Sequence, residues 1–146
     1  MSGIVIRKAG IDDASKIYEI DQDYIYERYT LDMISSSLSN DNNLNLILEV
    51  DNEAIGYLSA GIVLEDCELF KIVVKKDYQK MGYGKKLIEE LKKYSVENDI
   101  KSIFLEVRED NFKAKNLYEN YGFQKISERK GYYDGIDALI YRCDID

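Results

Sequence analysis

The spacing of apolar residues changes part-way along the chain, and that change restricts the fold more than any other feature. "LNLILEV" (44–50) and "AIGYLSAGIV" (54–63) read as two strands joined by the short polar turn Asp51-Asn52-Glu53, and "CELFKIVV" (67–74) reads as a further strand. Strands then alternate with helical periods. A helix over about 84–97 precedes the strand "KSIFLEV" (101–107), and Asn111 opens a second helix that runs to about Asn120, with Gly122 as its stop. "FQKISERK" and "DALIYRCDI" close the chain as strands joined through "GYYDG". Ahead of the meander, "GIVIRKA" reads as a first strand and residues 12–24 as a helix. Ala14, Ile17, Tyr18 and Ile20 fall near one face of that helix, and Asp12 or Asp13 stands at its N-cap. A further short helix follows Thr30 in "TLDMISSSL". Such an order predicts an α+β fold, a mixed sheet covered by helices on both faces. With no proline, repeat, low-complexity tract or linker, residues 1–146 read as one domain, long enough to build its own core.

Histidine is absent, which removes Ser-His-Asp and Cys-His machinery and every His-ligated metal. Acid–base chemistry is left to carboxylates, tyrosine, lysine, cysteine or water. Cys67 and Cys143 form no C-x-x-C pair and read as reduced structural thiols, as in a cytoplasmic protein. The N-terminal "MSGIVIRKAGIDD" lacks a signal-peptide pattern, and no run of 18 apolar residues predicts a membrane span.

The net charge of −8 is unevenly spread. Residues 71–93 hold eight lysines against Asp77, Glu89 and Glu90, a local +5 that leaves −13 on the remainder. This asymmetry suggests an anionic ligand at the basic window and a cationic one elsewhere. The acidic balance argues against nucleic acid as a partner, despite thirteen tyrosines.

Within the basic window, Gln79, Gly82 and Gly84 lead straight into the helical period. Gly82 and Gly84 are too close for a G-x-x-x-x-G-K-[ST] phosphate loop, and "GYGKKL" lacks the third glycine of the dinucleotide fingerprint. Two readings remain: an ordinary strand-to-helix turn with solvated lysines, or a loop whose free amides and helix dipole face a phosphate.

Gln79-x-x-Gly82-x-Gly84, after a strand ending "FKIVV", resembles the acetyl-CoA loop of the GNAT acetyltransferase superfamily. "LEVREDNFKAKNLYENYGF" (105–123) resembles the ribosomal-protein-alanine N-acetyltransferase family within it. Leu105, Glu106, Val107, Arg108, Asn111, Ala114, Leu117, Tyr118, Gly122 and Phe123 fall in that family's pattern. With "YYDGIDALIY", the resemblance runs from about 66 to 141. It implies the GNAT fold with a mostly antiparallel sheet, acetyl-CoA as acetyl donor, and no metal. Ile72, Val73 and Val74 are then expected along the pantetheine arm, with an N–H near Ile72 polarising the thioester carbonyl. Gln79, Lys80, Met81, Gly82, Tyr83, Gly84 and Lys85 form the expected pyrophosphate loop, and Asn111 also contacts the cofactor.

Read without the family, Glu106 interrupts the apolar run Ile103, Phe104, Leu105, Val107. It is either a strand-end carboxylate paired with Arg108 or a lysine, or a partly desolvated one whose pKa rises toward neutrality. Tyr118 shares a helix face with Ala114, Leu117 and Tyr121, where core filling is the ordinary role, and Asn111 is a favoured N-cap. The resemblance makes Glu106 the general base and Tyr118 the acid that protonates the departing thiolate; an ordinary phenol, with pKa about 10, is a competent donor at pH 7.

The resemblance implies an acceptor that is a protein N-terminal α-amine, on a ribosomal protein beginning with alanine. Lysine side chains or small cationic amines such as polyamines form the alternative, and a non-catalytic acyl-CoA-binding module is a third reading. The acidic remainder suits a basic protein N-terminus and a polyamine equally. Family members commonly carry Pro-Trp-Ser between the first two helices, where this chain has Arg28-Tyr29-Thr30. Tyr24, Tyr26 and Tyr29 in that segment either line a substrate groove or form the edge of an amphipathic helix.

Overall fold

A computed structural model describes residues 3–145. Seven strands form one sheet in the order β1-β2-β3-β4-β5-β7-β6. The strands are β1 (Ile4–Lys8), β2 (Asn43–Val50), β3 (Glu53–Val63), β4 (Asp66–Val74), β5 (Ser102–Arg108), β6 (Gln124–Tyr133) and β7 (Ile136–Asp144). The helices are α1 (Ala14–Asp21), α2 (Leu31–Leu38), α3 (Tyr83–Glu97) and α4 (Phe112–Asn120). Every strand pair is antiparallel except β4 with β5. The expected α+β architecture and the mixed, mostly antiparallel sheet are therefore present.

Strand alternation sorts the side chains into two cores. Leu46, Leu48, Leu58, Leu69, Ile103, Leu105 and Leu139 point to the face covered by α3 and α4, where Leu87, Ile88 and Leu91 are fully buried. Truncating one of these α3 residues to alanine costs about 2–5 kcal/mol. Ile47, Tyr57 and Val73, of opposite phase, meet Ile17 and Ile20 of α1 and Ile34 of α2.

The helix expected over 12–24 is shorter. A 3-10 turn over Ile11–Asp13 precedes α1, which stops at Asp21. Asp13 does not cap with its side chain; it accepts from the Gly10 N–H at 2.8 Å and pairs with Arg7 at 2.8 Å. That guanidinium holds the Asp13 carboxyl well below the usual carboxylate range. Thr30 does cap α2, accepting from Met33 N–H at 3.1 Å. The last hairpin also differs: "GYY" stays in β6, and the turn is Asp134-Gly135, both at positive φ. β6 is an edge strand exposed along nearly its whole length, so no apolar alternation marks where it ends. Among the described residues no helix is long and apolar enough to cross a membrane. Cys67 and Cys143 are both buried, and burial pushes the Cys67 thiol up to about 12.

Candidate active site

β4 and β5 pair only from Asp66↔Ser102 to Leu69↔Leu105. Beyond that point β4 follows β3 through a bulge, with Ala60↔Leu69 next to Ser59↔Lys71, so Phe70 is the extra residue. β5 instead follows β7 as far as Arg108↔Ala138. The strands part like a V, which leaves the β5-facing edge of β4 from Phe70 onward without a strand partner among the described residues.

Two clefts meet in this V. One, of about 370 Å³, is lined by Ile72–Val74 along β4 and by Gln79, Lys80, Gly82, Tyr83, Gly84 and Lys85. The other, of about 780 Å³, is lined by Glu106, Tyr133, Arg108, Lys71, Glu68 and Tyr29 among others. Ile72, Asn111, Ala114, Tyr118 and the segment Tyr24–Tyr26 belong to both. Of the residues singled out in the loop, Met81 lies outside both clefts and is largely exposed.

The loop cleft has the features an anion needs. Gly82 caps α3 at φ 87, a left-handed conformation that L side chains resist, and Lys80 is also left-handed at φ 64. The first helical bond runs from Lys86 N–H to Gly82 C=O at 3.2 Å, so the preceding amides stand at the open positive end of a 15-residue helix. Gly84 is different: a Cβ there meets only Leu117 at 3.7 Å, an ordinary contact, so the protein itself does not demand glycine. Gln79 ties the loop down, donating to Val74 C=O at 2.9 Å and accepting from Lys113 at 3.1 Å. The lysine window is divided in space. Lys80 and Lys85 line the cleft, Lys75 pairs with Glu19, Lys92 donates to the Tyr121 carbonyl, and Lys71 is buried on the other side.

Glu106 interrupts the apolar run as expected, and strand alternation separates it from that run: Ile103, Leu105 and Val107 turn to the α3–α4 core while Glu106 points the other way, into the larger cleft. Its side chain is 27% exposed. It accepts from the Tyr133 hydroxyl at 2.8 Å and faces Arg129 at 3.7 Å, rather than Arg108 or a lysine. Burial and the bond to Glu106 both raise the Tyr133 pKa.

Tyr118 is 8% exposed, packs on Phe123 and reaches the junction of the two clefts. Burial raises its pKa, so the phenol stays protonated. Among the described residues its hydroxyl has no hydrogen-bond partner. Asn111 caps α4, accepting from Ala114 N–H at 3.3 Å, and lines both clefts as well.

Three residues of this site were given no catalytic or binding role from sequence. Tyr133 holds Glu106. Arg108 pairs with Asp110 at 3.0 Å and lies over the rings of Tyr26 and Tyr133, so it joins the two sides of the larger cleft. Lys71 is buried against Asp21 at 3.0 Å. A charge at an inward phase of a strand, as in "CELFKIVV", is a readable signal for a buried ion pair.

A strand edge without a partner among the described residues, a glycine-capped helix N-terminus and a carboxylate–tyrosine pair around one wedge suit a group-transfer enzyme. The family model for acetyltransferases of the GNAT family matches residues 11–123, and the chain belongs to that family of N-acetyltransferases. It is similar to the ribosomal protein bS18-alanine N-acetyltransferase of Haemophilus influenzae, 34% identical over 121 residues that cover 83% of this chain and 82% of that protein. The crystal structure of the ribosomal-protein-S18-alanine N-acetyltransferase from Escherichia coli superposes with a TM-score of 0.92 at 29% identity, covering 98% of this chain and 94% of that one. A Thermoplasma acidophilum N-acetyltransferase in complex with coenzyme A shares the fold, with a TM-score of 0.84 at 22% identity over 97% of this chain and 99% of that one.

Proposed function

We propose that the protein transfers an acetyl group from acetyl-CoA to the N-terminal α-amine of a protein, a ribosomal protein that begins with alanine. The observation that carries this reading is the division of labour between the clefts. Gly82 to Lys85 face only the smaller one, Glu106 faces only the larger one, and Ile72 and Tyr118 stand at their junction. The relatives that are 30% or more identical over most of the chain carry the choice of acceptor.

The smaller cleft fits coenzyme A by its own chemistry. The amides around Gly82 to Lys85 and the side chains of Lys80 and Lys85 hold the pyrophosphate, and the open edge of β4 from Ile72 to Val74 holds the pantetheine arm. Acetyl-CoA supplies the acetyl group, activated as a thioester.

Glu106, directly or through one water, takes the proton from the acceptor amine. Tyr133 and Arg129 fix the carboxylate's orientation while it does so. An N–H near Ile72 faces the carbonyl oxygen on which charge develops. Tyr118, kept neutral by burial, gives its proton to the leaving sulfur. A peptide α-amine has a pKa of about 7.7–8.0 against about 10.4 for a lysine side chain, so a carboxylate base prepares the first far more readily.

Competition among acceptors tests this reading. A basic peptide beginning with alanine is expected to outcompete both an N-terminally blocked lysine peptide and spermidine. Preference for spermidine or the blocked peptide would leave acetyl transfer standing and overturn the acceptor.

A further inference from the structure

Nine residues between α1 and α2, 22–30, form most of one wall of the larger cleft without regular secondary structure. Something other than a backbone ladder must fix their position. The buried ammonium of Lys71 lies under this segment. It donates to the Glu27 carbonyl at 2.7 Å and to Asp21 Oδ1 at 3.0 Å, and it sits 3.5 Å from the Tyr29 ring centroid and 4.3 Å from that of Tyr24.

Asp21 completes the cluster from the end of α1. It is fully buried and also accepts from the Tyr57 hydroxyl at 2.6 Å and from the Tyr29 N–H at 2.7 Å. Every contact of the cluster therefore ends on β3, β4, α1 or the 22–30 segment. Asp21 and Lys71 together hold the segment, one through the Tyr29 amide and the other through the Glu27 carbonyl.

A buried ion pair is a weak source of net stability, because desolvation of both charges offsets their attraction. Burial indeed lowers the Lys71 pKa, with Asp21 opposing it. An apolar pair packs such a space at less cost, so a role beyond stability is the better account. We propose that Lys71 is a positioning residue for acceptor binding. By holding Glu27 and Tyr29 at fixed places on the wall opposite Tyr133, it pre-forms the acceptor cleft before the acceptor arrives. The proposal rests on assigning the larger cleft to the acceptor. It also accounts for Tyr24 and Tyr29 jointly: their faces are engaged by a cation, as neither a free groove lining nor a helix edge requires.

The test is Lys71→Met in the full chain, measured in three ways: steady-state kinetics, calorimetric affinity for coenzyme A, and residue-resolved amide exchange. Loss of a buried charged contact predicts an acceptor KM raised about tenfold with kcat within about threefold. Coenzyme A affinity falls less than that, by about threefold at most, because Glu27 and Tyr29 do not line its cleft and only Tyr24 of the cluster does, and the Tyr29 amide exchanges faster. If that variant does not fold, Tyr57→Phe removes one donor to Asp21 and shifts the same quantities in the same direction by less. Unchanged acceptor KM and Tyr29 protection would overturn the proposal, as would equal losses for both substrates. A wild-type protein that acetylates no amine would overturn the acceptor assignment instead, and Tyr29 exchange would still decide whether Lys71 pins the segment.

Discussion

Tyr133 donates its hydroxyl to Glu106 Oε2 at 2.8 Å, reaching from the end of β6 across β7 to β5. The bond joins the last hairpin to the carboxylate that lines the larger cleft, so under the proposed mechanism the hairpin would orient the base without contributing one of its own. Glu106→Gln keeps the shape and the Tyr133 contact but removes the proton acceptor. A fall in kcat of about 10²–10⁴ is expected, with coenzyme A affinity unchanged by calorimetry. Tyr133→Phe is expected to lower kcat less, because only orientation is lost. Full activity in Glu106→Gln would remove the carboxylate from the mechanism.

Tyr118 and Tyr133 both have pKa values raised above the ordinary phenol value, burial being the first cause in each. A raised tyrosine pKa keeps the neutral, proton-donating form present to higher pH. The rate profile of the wild-type enzyme therefore has no descending limb from either phenol below about pH 10, the ordinary tyrosine value. Tyr118→Phe lowers kcat at every pH while coenzyme A still binds. A tyrosine-dependent fall near pH 9, lost in Tyr118→Phe, would contradict this assignment.

Gly82 and Gly84 are close in sequence and different in constraint. Gly82→Ala forces a side chain into φ 87 and is expected to lower stability by about 1–2 kcal/mol, together with weaker coenzyme A binding. Gly84→Ala meets only Leu117 at an ordinary distance within α3, so its stability is expected to hold or rise by up to about 1 kcal/mol. Its coenzyme A affinity is expected to fall all the same, since Gly84 lines the cleft proposed for the cofactor. Thermal melts with and without coenzyme A separate the two.

Much of this architecture is written in local pattern. Thr30 and Asn111 are caps, Asp51 and Asn52 form the tight positive-φ turn between β2 and β3, and Gly82 ends the loop. The resemblance of 66–141 to a known family supplied Glu106, Tyr118 and the loop, and the structure gathers them around one wedge. What the chain order does not encode is which residues meet across the sheet. Glu106 reads as part of an apolar run until alternation along β5 turns it away from the core. Tyr133 lies 27 residues from it, and only the β5-β7-β6 order brings them together. Lys71 counts as one more positive charge in a basic window, yet its partner Asp21 is 50 residues away at the end of α1. Long-range pairs of this kind depend on topology, and local propensity carries no information about them.

The most direct measurement is mass-spectrometric location of the acetyl group. The protein and acetyl-CoA are incubated with a basic peptide that begins with alanine and contains internal lysines, and the product is fragmented. Acetyl on the alanine α-amine, lost in Glu106→Gln, is the predicted result. Acetyl on internal lysines with the α-amine free, or turnover that survives Glu106→Gln, would contradict the account.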